Sequence, residues 1–306
     1  MIKQEMSKGA VKIILDTDMG PDCDDAGALA LLHKLEKLGE AEILAVMHCT
    51  SSIWGPGCID AINTYYKRPD IPIGTLKKEG FLIDETYNKY NRFLCRNFPN
   101  KYPNGDNVPD AIKLYRSTLS KETGKGVVIA AIGPLTNLAE LLESKPDEIS
   151  PLTGFELVDK KVSMLVAMGG KFPEGREWNF EMDPLAARSV VKNWPTRIIF
   201  SGFEIGKSIL TGGILGEKAA EDNPVKAAYK LYTGGKDRMS WDLATVLCAV
   251  RGVKDYWDCE TWGRVSISKT GQNKWLRSKN GKIGYLRQKK EPALIAKELN
   301  DLLLEV

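Results

Sequence analysis

The sequence predicts an α/β protein with a mostly parallel central sheet flanked by helices, followed by a small antiparallel addition near the C-terminus. Short apolar runs rich in Val, Ile and Ala alternate with longer segments that carry apolar residues at helical spacing. Acidic or glycine-containing segments stand directly after several of these runs. This alternation favours βαβ units, whose parallel strands end together at one edge of the sheet.

Five strands and five helices follow one another along most of the chain. The predicted strands are 11–15, 43–48, 127–131, 162–167 and 196–200. The predicted helices are 26–38, 57–66, 135–143, 184–192 and 241–250. The strand runs are continuously apolar, as expected for strands that are covered by helices on both faces of a sheet.

One segment in the first half departs from this alternation. Residues 80–120 contain two predicted helices around the turn-rich segment 99–105. A connection of this length is unusual unless it has a role in binding. We therefore predict an insertion over the carboxyl edge of the sheet, in the place where a lid would lie.

The last 50 residues predict the antiparallel addition. Its strands are expected at 265–268, 274–276 and 283–286, and a final helix at 292–304. The Lys/Arg-rich stretch 274–290 is broken by two glycines and is interpreted as a solvent-exposed hairpin rather than a polyanion site. No repeat, linker or change in composition divides the chain, so a single domain, 1–306, is the simplest prediction.

Composition excludes several classes of partner. The 306 residues carry a net charge of +3, with 43% hydrophobic and 27% charged residues, so bulk charge favours neither nucleic acid nor an anionic membrane. No apolar run approaches the roughly 18 residues that a membrane span requires. We expect a small-molecule ligand and a cytoplasmic protein, and a removed signal peptide remains an alternative.

The cysteines and histidines limit the kinds of metal site and catalytic site that the chain can form. The six cysteines show neither CxxC pairs nor metal-ligand spacing, so reduced thiols in the core are expected. The two histidines, His33 and His48, lie within helix and strand patterns and are expected to be structural. The chain therefore offers little material for a histidine zinc site or for Ser-His catalysis.

The most informative segment is the acidic turn after the first strand. Residues 16–25 read Asp-Thr-Asp-Met-Gly-Pro-Asp-Cys-Asp-Asp and carry five carboxylates between a predicted strand and a predicted helix. So many negative charges in one turn repel one another unless water, protonation or a cation relieves them. A hard cation with oxygen ligands, Ca²⁺ or Mg²⁺, is the simplest explanation.

Four further segments end strands or open helices at the same edge. They are Ile132-Gly-Pro-Leu-Thr-Asn137, Met168-Gly-Gly170, Glu177-Trp-Asn-Phe180 and Ser240-Trp-Asp242. Taken alone, each has an ordinary explanation: a tight βα turn, a close backbone approach, or an acid that favours a helix dipole. Asp183, which precedes Pro184, is most simply a helix N-cap.

Together, these motifs and their order resemble the inosine/uridine-preferring nucleoside hydrolase superfamily across nearly the whole chain. The resemblance implies an α/β sheet domain with its site at the carboxyl edge, assembled as a homodimer or homotetramer. It further implies hydrolysis of the N-glycosidic bond of ribonucleosides with one bound Ca²⁺. The aspartate cluster is the most specific of the shared elements, and Gly-Pro-Leu-Thr-Asn supports it.

The resemblance assigns roles to seven residues. Asp18, Asp25 and Asp242 match the side-chain ligands of calcium, and the carbonyl of Ile132 matches a backbone ligand. Asp18 also matches the general base that takes a proton from the attacking water. Asp24 matches a ligand of the ribose hydroxyls, and Glu177 and Asn179 match further sugar contacts. This set suits glycoside chemistry, because carboxylates stabilise the positive charge that develops on the sugar.

The sequence also departs from the family pattern. Trp241 stands where members of the best-known branch have a histidine that helps to protonate the leaving base. An indole has no titratable proton, so we interpret Trp241 as a stacking surface for the base, with a core tryptophan as the alternative. The spacing between Asp18 and Asp25 is two residues longer than in the shortest family version and adds Asp22, for which a turn-forming or supporting role is expected. Segments 171–175 and 51–53 lack the asparagines expected there.

Two other functions compete with this interpretation. Asp16-x-Asp18 after a strand is also found in haloacid-dehalogenase-type phosphatases, with Asp16 as the nucleophile, although Gly20 stands where Thr or Val is expected. A second alternative is a non-catalytic protein that binds calcium and a nucleoside or sugar, because Trp241 replaces the familiar acid. An EF-hand fits less well, since the register that starts at Asp16 puts Pro21 where glycine is needed and the register that starts at Asp22 ends on His33 instead of glutamate.

Overall fold

The computed structural model describes residues 9–304. Twelve strands are present in this part of the chain: β1 Val11–Thr17, β2 Ala41–His48, β3 Ile73–Thr75, β4 Val127–Ala131, β5 Val162–Met168, β6 Glu174–Gly175, β7 Arg197–Ser201, β8 Leu210–Thr211, β9 Arg238–Met239, β10 Trp257–Ile267, β11 Asn273–Arg277 and β12 Ile283–Gln288. The five strands predicted for the first 200 residues are confirmed, and each matches within two residues at either end.

Thirteen α-helices lie in the same residues, together with a 3₁₀ turn at Glu85–Tyr87. They are α1 Asp24–Lys37, α2 Gly55–Tyr65, α3 Asn91–Asn97, α4 Ala111–Lys121, α5 Thr136–Glu143, α6 Gly154–Lys161, α7 Trp178–Met182, α8 Pro184–Asn193, α9 Phe203–Gly206, α10 Gly213–Lys218, α11 Pro224–Thr233, α12 Trp241–Arg251 and α13 Pro292–Leu304. The α1 helix begins at Asp24 and thus includes both acids that were expected in the preceding turn.

A ten-stranded sheet runs through the molecule in the order β3-β2-β1-β4-β5-β7-β12-β10-β11-β6. The seven strands from β3 to β12 are parallel to their neighbours, whereas β10, β11 and β6 continue the sheet in antiparallel fashion. The predicted α/β class with its small antiparallel addition is confirmed. A separate two-stranded sheet joins β8 to β9.

The parallel part of the sheet is buried on both faces, which explains its continuously apolar strands. In β1, Ile13 and Leu15 pack into one hydrophobic cluster, and Ile14 between them packs into the other. Helices α1, α12 and α13 cover the first face, and α4, α5, α6 and α8 cover the second. Burial of this kind supplies the main stabilising term of the fold.

Two sequence predictions need correction. The stretch 274–290 does not form a hairpin, because β11 and β12 lie on opposite sides of β10 and pair with it rather than with each other. In the insertion, α4 packs on β3, α5 and α6 and does not lie over the carboxyl edge, whereas α3 packs on α2 and its first residue, Asn91, donates to the carbonyl of Met19 at 3.2 Å in the loop after β1. Only the 3₁₀ turn of this segment reaches the cavity described below.

The prediction of a single domain, 1–306, remains a prediction, and its residues 1–8 and 305–306 lie outside the described part of the chain. Among residues 9–304, none of the helices is both long and apolar enough to cross a membrane.

Candidate active site

A cavity of about 450 Å³ lies at the carboxyl edge of the parallel strands. It is lined by segments that follow β1, β4 and β5 and by the first turns of α1, α7 and α12. All eight residues predicted from the sequence line this cavity: Asp18, Asp24, Asp25, Ile132, Glu177, Asn179, Trp241 and Asp242. Strand order explains the convergence, because β1, β4, β5 and β7 are successive neighbours in the centre of the sheet.

The four aspartates are almost completely buried. Asp24 has no exposed surface, and Asp18, Asp25 and Asp242 are at most 6% exposed. Two of them occupy the first turn of α1 and one the first turn of α12, where the partial positive charge of a helix N-terminus favours a carboxylate. The two helices pack against each other, which brings their N-terminal acids to one place.

Burial and mutual repulsion make ionisation of these acids unfavourable without a cation. Burial, and then the negative charge of Asp22, raise the pKa of Asp18 and of Asp24 well above the ordinary value of 3.8. The pKa of Asp25 rises in the same way through burial and Asp18, and that of Asp242 through burial and Asp24. A bound cation would reverse both effects.

The aspartates have too few hydrogen-bond donors to satisfy them. The hydroxyl of Thr17 donates to Asp25 Oδ1, and the amide of Asp242 donates to Asp24 Oδ2 at 3.2 Å. The other oxygen of Asp24, Oδ1, is buried without a partner. Carboxylate oxygens of Asp22, Asp24 and Asp242 lie within 4.8 Å of one another, and this trio shares Asp242 with the ligand set predicted from the sequence. An orphaned oxygen within an all-oxygen donor set fits a hard divalent cation.

Asp22, expected to play a supporting role, lies at the edge of this cluster. Its Oδ1 accepts a hydrogen bond from the amide of Asp24 at 3.2 Å, which shapes the turn before α1. Its Oδ2 accepts from Arg238 Nη2 at 3.0 Å. Gly20 allows the same loop to approach its neighbours, because a Cβ there would lie 2.4 Å from Asn91 Nδ2.

A hydrogen bond joins the backbone of Ile132 to the side chain of Asn179. Ile132 follows β4 directly, and its amide donates to the carbonyl of Asp16 at 2.7 Å. The side-chain amide of Asn179 donates to the carbonyls of Ile132 at 3.3 Å and Met168 at 3.2 Å. Asn179 thereby fixes the ends of β4 and β5 relative to each other at the cavity wall.

Glu177 links two of the motifs found in the sequence. Its carboxylate caps α7 by accepting from the amides of Asn179 at 2.7 Å and Phe180 at 3.3 Å. It also accepts from the amide of Gly170 at 2.9 Å, in the Met-Gly-Gly segment after β5. Burial raises the pKa of Glu177 to about 7, and these three hydrogen bonds oppose the rise. The capping role is thus established together with its position in the cavity.

Aromatic side chains line the outer part of the cavity. Trp241 stacks on Phe203 with ring centroids 5.4 Å apart, and its indole N–H donates to the carbonyl of Phe203 at 2.7 Å. Trp178 contacts Tyr87 of the 3₁₀ turn in an edge-to-face arrangement at 6.1 Å. The indole N–H of Trp241 is therefore already occupied, and its ring is held in one orientation.

Sequence reasoning missed several residues of the cavity. Tyr87 comes from the 80–120 insertion, Tyr232 from the end of α11, and Arg238 from the two-residue strand β9. The guanidinium of Arg238 lies 5.1 Å from the ring centroids of both Tyr232 and Trp241. Proximity of Arg238 to the Ser-Trp-Asp motif in the sequence is the one signal that pointed to it.

Residues predicted to be structural lie outside the cavity. His33 contacts Asn63 at 2.8 Å, and His48 contacts Thr75 at 3.0 Å, both among buried side chains. All six cysteines are free, as expected. Asp183 caps α8 by accepting from the amide of Ala186.

The phosphatase alternative is contradicted by the position of Asp16. Its side chain is completely buried and accepts hydrogen bonds from Tyr115 Oη at 2.8 Å and Asn137 Nδ2 at 3.0 Å. Asp16 is absent from the cavity wall, because its carboxylate is directed into the core and held there by Tyr115 and Asn137. A nucleophile must be reachable by its substrate, and Asp16 is not.

Fold and site together define an α/β protein with an acidic, oxygen-rich cavity at the carboxyl edge of its sheet, suited to a cation and a hydroxylated ligand. The family model for inosine-uridine preferring nucleoside hydrolases matches residues 13–301, and the chain belongs to this family.

Individual relatives are more distant. The pyrimidine-specific ribonucleoside hydrolase RihA of Salmonella enteritidis PT4 (strain P125109) is 27% identical over 218 residues, which are 64% of this chain and 61% of the relative. The chain thus spans about three fifths of the length of the curated relatives it matches.

Solved structures share the fold. A plant nucleoside hydrolase, PpNRh1, superposes with a TM-score of 0.75 at 19% identity and covers 97% of this chain and 99% of its own. The inosine-uridine preferring nucleoside hydrolase of Bacillus anthracis gives a TM-score of 0.72 at 18% identity, covering 97% and 100%. At these identities the likeness establishes the architecture and its topology alone.

Proposed function

We propose that this protein hydrolyses the N-glycosidic bond of a ribonucleoside, or of a related N-glycoside, and releases the free base and the sugar. The observation that carries the proposal is the convergence of the eight predicted residues on one cavity. Membership of the nucleoside hydrolase family supports it. The names of the relatives, a pyrimidine-specific hydrolase among them, support nucleosides as the class of substrate.

Calcium is the proposed cofactor. Asp18, Asp25, Asp242 and the carbonyl of Ile132 would hold it, all through oxygen atoms, as this cation prefers. Several carboxylates in an irregular arrangement favour Ca²⁺ over Mg²⁺, which requires a near-ideal octahedron. When bound, the ion would supply Lewis acidity that makes a water molecule easier to deprotonate.

The residues of the chain then divide the reaction between them. Asp18 accepts the proton of the water as its oxygen attacks the anomeric carbon, C1′, of the sugar. The buried carboxylates stabilise the positive charge that develops on the ribose, because they act in a region of low dielectric. Asp24, Glu177 and Asn179 bind the ribose hydroxyls and orient the ring for attack.

Trp241 is proposed to contact the face of the base. Its ring is held by Phe203 and lies beside the acidic floor of the cavity. Offset stacking of a base on an indole contributes about 1–3 kcal/mol in comparable sites. Trp178 and Tyr87 close the cavity on another side and limit the size of the ligand.

The rival function is calcium-dependent binding of a nucleoside or sugar without turnover. Asp18→Asn tests the difference, because the amide keeps an oxygen for the cation and loses the base. We expect turnover to fall by at least about 10³-fold, while calcium and ligand binding remain measurable by calorimetry. Wild-type protein that binds nucleosides and releases no base would favour the rival.

Assembly and location are also part of the proposal. We expect a homodimer or homotetramer in solution, and a cytoplasmic protein. Sedimentation velocity at micromolar concentration measures the first directly, and a single monomeric species would contradict it.

A further inference from the structure

Departure of a nucleobase requires help that the proposed catalytic residues do not supply. When the bond between C1′ and the base nitrogen breaks, its electron pair moves onto the base. Histidine is the usual donor of the compensating proton, and both histidines of this chain lie outside the cavity. The indole N–H of Trp241 is already donated to the carbonyl of Phe203.

Other titratable groups of the cavity are poorly suited to this task. Burial raises the pKa of the Tyr232 hydroxyl to about 12, well above the neutral range in which a general acid is effective. None of the six cysteines lines the cavity. Burial raises the pKa of Glu177 to about 7, but both of its carboxylate oxygens already accept hydrogen bonds from backbone amides, and its proposed role is to bind the sugar rather than the base.

Arg238 lies beside the position of the missing acid. Its guanidinium is 5.1 Å from the ring centroid of Trp241, and its side chain lines the cavity with 23% of its surface exposed. The side chain donates one hydrogen bond, to Asp22, and its Nε has no partner among the described residues. A guanidinium has five N–H donors, and since Nε is buried, the donors that remain for a ligand are the Nη N–H groups that Asp22 does not use.

Asp22 holds Arg238 in this position. The ion pair joins the loop after β1 to strand β9, and the guanidinium is further placed between the rings of Tyr232 and Trp241. Asp22 belongs to the part of the acidic turn that is two residues longer than the shortest family version. The longer turn and the arginine thus occur as one arrangement next to the leaving-group position.

We propose that Arg238 binds the leaving base and stabilises its negative charge, and that Asp22 is the positioning residue for Arg238. This inference rests on the proposed hydrolysis. The water oxygen forms a bond to C1′ and its proton passes to Asp18. The electron pair of the broken C1′–N bond moves into the base, whose carbonyl oxygen or ring nitrogen accepts a hydrogen bond from the guanidinium. The released base then takes a proton from water, and the hydroxide that remains takes up the proton held by Asp18.

Charge explains why an arginine suits this cavity. Seven carboxylates and two guanidinium groups line it, so a departing anion would be strongly repelled by the unpaired acids. A guanidinium remains cationic at every relevant pH and donates in a fixed plane. Stabilisation of developing charge by one such donor is worth about 10²–10³-fold in rate.

Two substrates of different leaving-group ability test the proposal. The uracil of uridine and the hypoxanthine of inosine are poor leaving groups. By contrast, 4-nitrophenyl β-D-ribofuranoside releases a phenolate that needs no assistance. We expect Arg238→Gln to lower kcat/KM for the nucleosides by about 10²–10³-fold and for the nitrophenyl riboside by less than about threefold. Arg238→Lys keeps the positive charge and loses the planar set of N–H donors. We expect its kcat/KM for the nucleosides to lie between that of the wild type and that of Arg238→Gln.

Asp22→Asn and Arg176→Gln complete the set. Asp22→Asn is expected to reduce nucleoside turnover about tenfold, to leave the nitrophenyl riboside little changed, and to retain calcium binding by calorimetry. Arg176, the other arginine of the wall, pairs with Glu181, and its removal is expected to change both kinds of substrate by the same factor.

Each outcome is decisive. Equal losses on nucleosides and nitrophenyl riboside in Arg238→Gln would overturn the leaving-group role, and loss of calcium binding in Asp22→Asn would overturn the positioning role. Wild-type protein that cleaves neither kind of substrate would instead overturn the proposed hydrolysis, and this inference with it.

Discussion

Calcium is expected to stabilise the folded protein, independently of any activity. The cavity holds four buried aspartates whose pKa values are raised, first by burial and then by repulsion from one another: Asp18, Asp24, Asp25 and Asp242. Folding of the cation-free protein at neutral pH therefore forces these groups either to take up protons or to ionise in an unfavourable site. A bound cation removes this penalty.

The size of this stabilisation follows from the linkage between calcium binding and folding. A ligand that binds only the folded state at 100 times its Kd adds about 2.7 kcal/mol to the free energy of unfolding. For a chain of this size, 1 kcal/mol corresponds to roughly 2 °C in Tm, so calcium should raise Tm by about 5 °C.

The effect of pH has a definite sign. The folded-state pKa of these carboxyls lies above the ordinary 3.8, so the cation-free protein loses stability as pH rises from 4 through the raised pKa values. Calcium binds the ionised forms and displaces protons. The calcium-induced rise in Tm should therefore be larger at pH 8 than at pH 5.5.

Scanning fluorimetry of chelator-treated protein, with and without millimolar CaCl₂, measures the shift. Asp242→Ala should unfold at a similar or higher temperature than the wild type without calcium, because one repulsive charge is gone, and should lose the calcium response. Asp258→Ala removes an exposed aspartate of β10, and this variant should retain the calcium-induced rise in Tm. No calcium response in the wild type, or an equal response in Asp242→Ala, would refute the reasoning.

Two further predictions concern other parts of the fold. A Cβ at Gly133 would lie 2.7 Å from Asp18 Oδ1, so Gly133→Ala should displace the base and reduce turnover by about 10²-fold, whereas Gly126→Ala adds its methyl group to open space and should leave turnover unchanged in a steady-state assay. Burial lowers the pKa of His33 to about 4, below its ordinary 6.5, so its contribution to stability is lost as pH falls through this interval. Between pH 7 and 5 the wild type should lose about 2 kcal/mol more than His33→Gln in urea unfolding, and identical pH dependence of the two would contradict this.

The sequence predicted the acidic floor of the cavity because local rules determine it. An apolar run, an acidic turn and a helical pattern place Asp18 and Asp25 at a strand end whatever the rest of the chain does. Ile132 and Asp242 were assigned to the site only through the resemblance to a known family, because each of their segments taken alone has an ordinary structural explanation. Their convergence followed from the resemblance to a known family, and the order of the central strands explains it physically.

Residues of the outer cavity could not be predicted by such rules. Arg238 lies on a strand of two residues and Tyr87 in a single 3₁₀ turn, and neither element has a periodicity that sequence can show. Their positions depend on tertiary contacts: the ion pair of Arg238 with Asp22, and the close approach of the 87–91 segment to Gly20.

The order of the C-terminal strands in the sheet also depends on tertiary contacts. The apolar runs located β11 and β12, yet the order in which they join β10 depends on which edge of the parallel sheet is free. Because β12 pairs with β7, β10 lies between β12 and β11 in the sheet. The expected hairpin was wrong because adjacent strands in sequence need not be neighbours in a sheet.

Release of free base and reducing sugar from a panel of purine and pyrimidine nucleosides, with and without a calcium chelator, tests the central claim most directly. We predict release that the chelator abolishes and that added calcium restores. No release from any nucleoside by protein that binds calcium stoichiometrically would contradict the proposed hydrolysis.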